Sequence, residues 1–262
     1  MAQTKPKALI NWSGGKDSSI CLYKILQSGD YDIHCLFTTL NARYNRISQH
    51  GVRSVLLVQQ AGQIGIPLKT LMLPDTPTME AYDLTMKVAL TELRQQGVTV
   101  SIFGDIFLED LREYRESRLA ELGLKGAFPL WKRPTDELAE SFISDGFRAV
   151  LVCVDERYLG NEYAGREYDK SLLNDLPDGV DPCGENGEFH TFVYDGPIFS
   201  RPVLFNRGDI VYRTYTPPDQ SDQEEDDNGY ECRSGHERMP ETGFWFCDLI
   251  PGVDTFQESE NQ

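Results

Sequence analysis

Two periods of apolar residues alternate along the first 155 positions. Residues 8–12 (ALINW) form a short apolar run, and the turn SGGKDS follows at once. Ile20, Cys21, Tyr23, Ile25 and Leu26 then recur at helical spacing and predict a helix ending near Gly29. Runs at 33–39 (IHCLFTT), 68–73, 98–103 (VTVSIF) and 149–154 (AVLVCV) predict four more strands. Stretches 52–64, 78–96, 108–122 and 135–144 predict the helices between them, the third with Leu108, Leu111, Leu119 and Leu122 as its apolar members. Strands alternating with helices join by right-handed crossovers, so the expected class is α/β with a doubly wound parallel sheet.

After about residue 155 the pattern changes. Gly, Pro and Asp become frequent, and short strands are expected at 188–193, 210–214 and 245–249. This predicts a smaller C-terminal α+β region. The division expected is a first domain at 1–128 and a second at 129–254. Segment 219–228 (DQSDQEEDDN) reads as a disordered acidic loop.

Charge sharpens that division. The net charge is −17, yet residues 1–128 carry 14 Lys and Arg against 13 Asp and Glu, whereas 129–262 carry 11 against 29. The near-neutral first half is the place to look for a polyanion. The acidic second half suits a cationic substrate or simply keeps the protein in solution. General nucleic-acid binding is not expected, because phosphate contacts need a basic face. Residues 1–7 are polar, and no apolar run approaches the roughly 18 residues of a spanning helix. The sequence therefore predicts a cytoplasmic protein with no membrane partner. Its six cysteines include no CxxC pair and read as free thiols, and the spacing of Cys232, His236 and Cys247 is too irregular for a zinc site.

The strongest chemical signal is the strand–SGGKDS–helix junction. Gly14 and Gly15 let the backbone fold until successive N–H groups point into one concavity, and the helix that follows adds its dipole. Ser13, Ser18 and Ser19 offer hydroxyls and Lys16 a mobile charge. Such a loop binds phosphate or pyrophosphate. It is not a Walker A loop, because Ile10 stands where the first glycine belongs and Asp17 follows the lysine. The GxGxxG of a dinucleotide fingerprint is also absent. Asp17 beside a phosphate would repel it unless a metal intervened, so Asp17 is the expected Mg²⁺ contact.

SGGKDS after a first strand is similar to the PP-loop of the N-type ATP pyrophosphatases. Further segments resemble one family within them, the diphthine–ammonia ligases. They are Leu122-Gly123-Leu124, Phe128-Pro129-Leu130-Trp131, the segment 144–150 (SDGFRAV), the segment 183–193 (CGENGEFHTFV) and Asp195-Gly196-Pro197-Ile198-Phe199. Order and spacing fit from about residue 8 to 200. The family's pattern in the last two segments is close to CGEGGEYET followed by DAPLF, so Asn186 replaces a glycine and His190 an acidic residue. The family's GAIxSxYQ region reads GDIFLEDLR at 104–112 here. The resemblance implies a parallel sheet of the HUP type and ATP split to AMP and pyrophosphate. It also implies an acceptor carboxylate converted to an amide by ammonium, the family's acceptor being diphthine on elongation factor 2. The departures make another carboxylate an alternative acceptor. Sulfur transfer to tRNA and ATP sensing without turnover are further readings.

The remaining candidates each carry an ordinary reading beside the functional one. Glu185 and Glu188 flank a glycine-bearing turn and read either as contacts for ammonium or the acceptor, or as solvated acids. Segment 41–53 holds Arg43, Arg46, Arg53 and His50 with no acid. It follows the second strand at the ligand-binding edge, so it reads as a basic lid over the phosphates or as a surface loop. Thr38, at the end of that strand, and Arg43 are assigned to the ATP site. Gly104 and Asp105 follow the fourth strand and face the same edge, where Asp105 is a substrate or metal contact or a helix cap. A homodimer is left open.

Overall fold

The computed structural model describes residues 4–47, 50–74, 78–215 and 242–252. The acidic segment 219–228, Cys232 and His236 lie outside the described residues. Strands β1 (Lys7–Asn11), β2 (Asp32–Asn41), β3 (Leu68–Leu73), β4 (Val98–Ile102) and β5 (Lys125–Ala127) form one parallel sheet in the order β3-β2-β1-β4-β5. Helices α1 (Lys16–Ser28), α2 (Ser54–Ile64), α3 (Met79–Gln95) and α4 (Glu109–Glu121) connect them.

Period-2 alternation sorts the strand residues to two cores. Ala8, Ile10, Leu36 and Leu40 face Ile20, Leu22, Leu56 and Leu57 of α1 and α2. Leu9, Cys35 and Phe37 face Leu90, Leu93 and Leu119 of α3 and α4. The sheet is thus covered on both sides, as the alternating pattern predicts. Helix α1 stops at Gly29, whose φ of 65° lets its N–H reach back to the Ile25 carbonyl at 3.0 Å. Thr78 caps α3 by accepting the Ala81 N–H at 3.2 Å.

Beyond β5 come α5 (Thr135–Ser144), β6 (Arg148–Asp155), α6 (Lys170–Asp175), β7 (Phe189–Asp195), β8 (Phe205–Tyr215) and β9 (Thr242–Pro251). The four strands make an antiparallel sheet in the order β7-β6-β9-β8. Its inner residues, Ala149 to Val152 and Val154 among them, join the core that covers the α1–α2 side of the parallel sheet. Two sequence expectations change here. Segment 149–154 is not the fifth strand of the parallel sheet but an inner strand of the antiparallel one, because it pairs antiparallel with β7 along one edge and with β9 along the other. The fifth parallel strand is Lys125–Ala127, which is too short and too exposed to carry a periodic signal.

Candidate active site

The SGGKDS turn leaves β1 at the carboxyl edge of the sheet, where the strand order reverses between β1 and β4 and a crevice opens. Gly14 takes a φ of 76°, open to glycine, and a Cβ there would lie 2.7 Å from both Leu57 and Gln60. Helix α1 starts with no side-chain cap of its own, and the Lys16 N–H donates to the Thr191 hydroxyl of β7 at 3.0 Å. The Asp17 and Ser18 N–H groups have no partner within their own helix, which is the usual basis of anion binding at such a terminus.

The serine hydroxyls divide. Ser18 and Ser19 both donate to the Gly15 carbonyl at 2.9 Å, so their protons are committed inside the helix turn. Ser13 lines the cleft, accepts the Gly15 N–H at 3.2 Å and lies 3.2 Å from the Ser18 hydroxyl. Lys16 is only 2% exposed, and its Nζ sits 2.6 Å from Asp17 Oδ1. Burial works against that ammonium, but Asp17, Cys183 and Glu185 outweigh it and hold its pKa above the ordinary lysine value.

Opposite the loop stands the 183–191 turn, and the two enclose a cleft of about 420 Å³. Glu185 lines it. Burial and then the Asp17 charge push the Glu185 carboxyl up to about 8, with Lys16 pulling the other way. Glu188 does not line the cleft. It is fully buried and accepts three hydrogen bonds, from Asp181 N at 3.0 Å, Asn186 N at 2.8 Å and Asn186 Nδ2 at 2.8 Å. The carboxylates that sequence pairs as a functional couple therefore take separate positions. Glu185 faces the cleft, and Glu188 ties the turn that carries it.

Two imidazoles form another wall. His50 and His190 stack with centroids 4.4 Å apart and planes at 22°. His50 Nδ1 lies 3.3 Å from the Thr191 carbonyl. Burial pushes His50 down to about 4, and burial and the neighbouring His50 and Lys16 charges push His190 well below the ordinary histidine value. Both stay neutral at physiological pH. Among the described residues of the basic segment 41–53, His50 is the one that reaches the cleft. Arg46 and Arg53 instead grip Asp248 of β9 at 2.8 and 2.5 Å, which anchors the segment to the antiparallel sheet. Arg43 is exposed, with its guanidinium over the Tyr44 ring. Thr38 is buried within β2 opposite Thr70. Neither Thr38 nor Arg43 lines the cleft.

Asp105 is bound by the Arg115 guanidinium and does not cap α4, whose cap position is Leu108. Gly104 packs on the first turn of α1: a Cβ there would stand 3.0 Å from the Asp17 carbonyl carbon and 3.2 Å from the Ser18 nitrogen. Gly104→Ala is expected to push that turn out of place and lower ATP affinity about tenfold, as for a misplaced contact of 1–2 kcal/mol. Calorimetric titration with ATP checks this. Sequence reasoning gave no sign that Thr191 bonds the Lys16 N–H, and it missed Gln60 as a neighbour of the loop. Gln60 had a signal, since it is a polar residue on the apolar face of α2 and is fully buried.

No group of three or more His, Cys, Asp or Glu among the described residues forms a ready metal cage. A Mg²⁺ ion held by one or two carboxylates and completed by substrate phosphates needs no cage. Asp17, beside the α1 N-terminus and partly exposed to the cleft, fits that arrangement. The five described cysteines are free and buried, and burial holds each thiol above its ordinary pKa. Among the described residues no helix is long and apolar enough to cross a membrane.

The diphthamide synthase N-terminal domain matches residues 6–126 and the diphthamide synthase C-terminal domain residues 134–214. The chain is 31% identical over 140 residues to a diphthine–ammonia ligase of Danio rerio, covering 50% of this chain and 52% of that protein. Against the diphthine–ammonia ligase of Homo sapiens it is 23% identical over 228 residues, 76% of this chain and 82% of the relative. It matches the Schizosaccharomyces pombe ligase at 29% over 139 residues, 51% of this chain but 22% of that longer protein. The chain thus spans about half the length of the zebrafish relative and less of the yeast one.

Proposed function

The chain belongs to the diphthamide synthase family, and from that premise we propose that it is an ATP-dependent, AMP-forming ligase that joins ammonia to a carboxylate. The observation that carries this reading is the cleft itself. A buried lysine and the start of a helix meet a carboxylate of raised pKa across about 420 Å³. The first half binds the polyphosphate and the turn from the second half meets the acceptor, with the domain division near residue 128.

In this mechanism the phosphates lie on the α1 N-terminus, with the Ser13 hydroxyl and Lys16 Nζ against the β and γ groups. Mg²⁺, held by Asp17 and the phosphates, supplies charge neutralisation when bound. An acceptor carboxylate oxygen bonds to the α-phosphorus, the bond to the β-phosphate bridge breaks, and pyrophosphate leaves against Lys16. The loop amides stabilise the charge that develops there. Ammonia then attacks the acyl carbon and AMP departs. Ammonium must shed a proton to attack, and the Glu185 carboxylate holds the ammonium and takes that proton.

Turnover is expected to release AMP and pyrophosphate in equal amounts, dependent on ammonium and acceptor. Chromatography of the nucleotides with a coupled pyrophosphate assay checks this, and ADP as the main product would remove the assignment. Diphthine on elongation factor 2 is the first acceptor to test. A different carboxylate is the second reading, favoured by the neutral His50–His190 stack where the family pattern carries an acid. Sulfur transfer is disfavoured, since the described thiols are buried and held protonated.

A further inference from the structure

The Gly14–Gly15 peptide is the most easily reversed unit of the loop. With no Cβ on either side, a flip of this plane through the Gly14 ψ and Gly15 φ angles meets little steric resistance. The flip matters because a peptide presents opposite charges on opposite edges. In the structure the Gly14 carbonyl points away from the cleft, so the Gly15 N–H points towards Ser13 and the cleft side. Reversed, the plane would turn a carbonyl oxygen towards the position where an anion must sit.

Two donors hold the carbonyl inward: Val193 N of β7 at 2.9 Å and Gln60 Nε2 of α2 at 3.0 Å. Gln60 is fully buried, and each of its amide atoms is engaged. Nε2 also donates to the Val193 carbonyl at 2.5 Å, and Oε1 accepts the Trp12 indole N–H at 3.0 Å. The partners fix the amide's orientation independently of how its two ends are assigned. An indole nitrogen only donates and a carbonyl only accepts, so the oxygen must face Trp12 and the nitrogen must face the loop. Trp12 precedes the loop, Gly14 lies within it and Val193 belongs to the opposite sheet. One side chain therefore binds the strand that enters the loop, the loop itself and the wall facing it.

We propose that Gln60 is a positioning residue that latches the Gly14–Gly15 peptide in its anion-receiving orientation, and so sets the affinity of the loop for phosphates. This rests on the reading of the loop as the seat of ATP phosphates. The latch acts through the loop and touches no substrate. Its loss leaves Val193 N as the single remaining hold on the carbonyl, and the fraction of protein with a receptive loop falls.

The test compares wild type with Gln60→Met, which keeps the volume and removes all three hydrogen bonds, and with Trp12→Phe, which frees only the amide oxygen. Leu56→Ala serves as a control, removing core packing from the same helix without touching the loop. ATP with Mg²⁺, and pyrophosphate alone, are titrated calorimetrically, and crystal structures give the peptide orientation. Gln60→Met is expected to weaken both ligands about tenfold or more, by shifting the receptive population, and Trp12→Phe less in the same direction. Leu56→Ala is expected to lower the melting temperature while leaving both affinities unchanged. A Gln60→Met structure with the Gly14 carbonyl still inward, or affinities equal to wild type, overturns the latch. So does an equal loss of affinity in Leu56→Ala, which reduces Gln60 to a packing role. If Gln60→Met flips the peptide and loses pyrophosphate, while wild type binds pyrophosphate but not ATP, the latch stands and the ATP reading falls.

Discussion

Lys16→Ala is expected to lower kcat/KM for ATP by about 10²–10³-fold, the range set by truncating one partner of a buried, hydrogen-bonded charge pair. Lys16 is 2% exposed and its ammonium sits 2.6 Å from Asp17. Glu185 lies near enough to raise the lysine's pKa. Without the ammonium, the cleft presents Asp17 and, at alkaline pH, Glu185 to a ligand of several negative charges. Repulsion replaces attraction, which is why the loss exceeds that of one hydrogen bond. Lys16→Met, closer in volume, should show the same loss and so separates charge from packing. Calorimetry with ATP and Mg²⁺, alongside initial rates, measures both. Wild-type affinity in the two variants would mean that the phosphates bind elsewhere.

What the sequence showed and what it hid have a common physical cause. The PP-loop was legible because its chemistry is contiguous: strand, two glycines, lysine and helix start lie within about ten residues. The order of strands and helices was legible for a similar reason, since each element is a contiguous run, but 8–12 is apolar almost throughout and does not say that Ala8 and Ile10 face one core and Leu9 the other. The turn with Glu185 was read from the family resemblance, but the contacts that join the opposite wall to the loop were hidden because they depend on pairing over long separations. Val193 reaches Gly14, and Thr191 reaches the Lys16 N–H, across about 175 residues that no local pattern connects.

The same distinction explains the arginines of segment 41–53. Their run without acids suggested a lid over phosphates, but Asp248 of β9 lies some 200 residues away and binds two of them. The strand Ala149–Val154 was legible as a strand but not as to its sheet. A continuous apolar run records burial on both faces and does not record the direction of its neighbours. Glu185 and Glu188 looked equivalent because composition does not reveal which carboxylate the turn consumes.

That division yields opposite expectations for two conservative variants. Glu188→Gln puts an amide where an oxygen now accepts backbone N–H groups from Asp181 or Asn186. A buried donor then faces a donor, and stability is expected to fall by about 1–3 kcal/mol. The melting temperature drops, and activity declines only as the 183–191 turn loosens. Glu185→Gln keeps size at a residue held through its backbone N–H, which Asp181 accepts, and not through its carboxylate among the described residues. Its ATP affinity should stay close to wild type, and its kcat/KM for ammonium should fall about 10–100-fold, the worth of one charge-assisted contact. The pH dependence gives the sign. The Glu185 carboxyl is raised from 4.5 to about 8, so the charged form appears as pH rises through about 8. In the free enzyme the ammonium-dependent rate should therefore rise across that range, and Glu185→Gln should lose this limb while keeping the one that belongs to ammonium itself. Folding shows the reverse. Between 4.5 and about 8 the folded protein holds a proton that the unfolded chain has released, so this group lowers stability as pH rises. Glu185→Gln should then match wild type near pH 5 and exceed its melting temperature near pH 9. A variant that is catalytically normal, or one that loses ATP binding while folded, would move Glu185 out of the ammonium site, to solvent in the first case and to the nucleotide in the second.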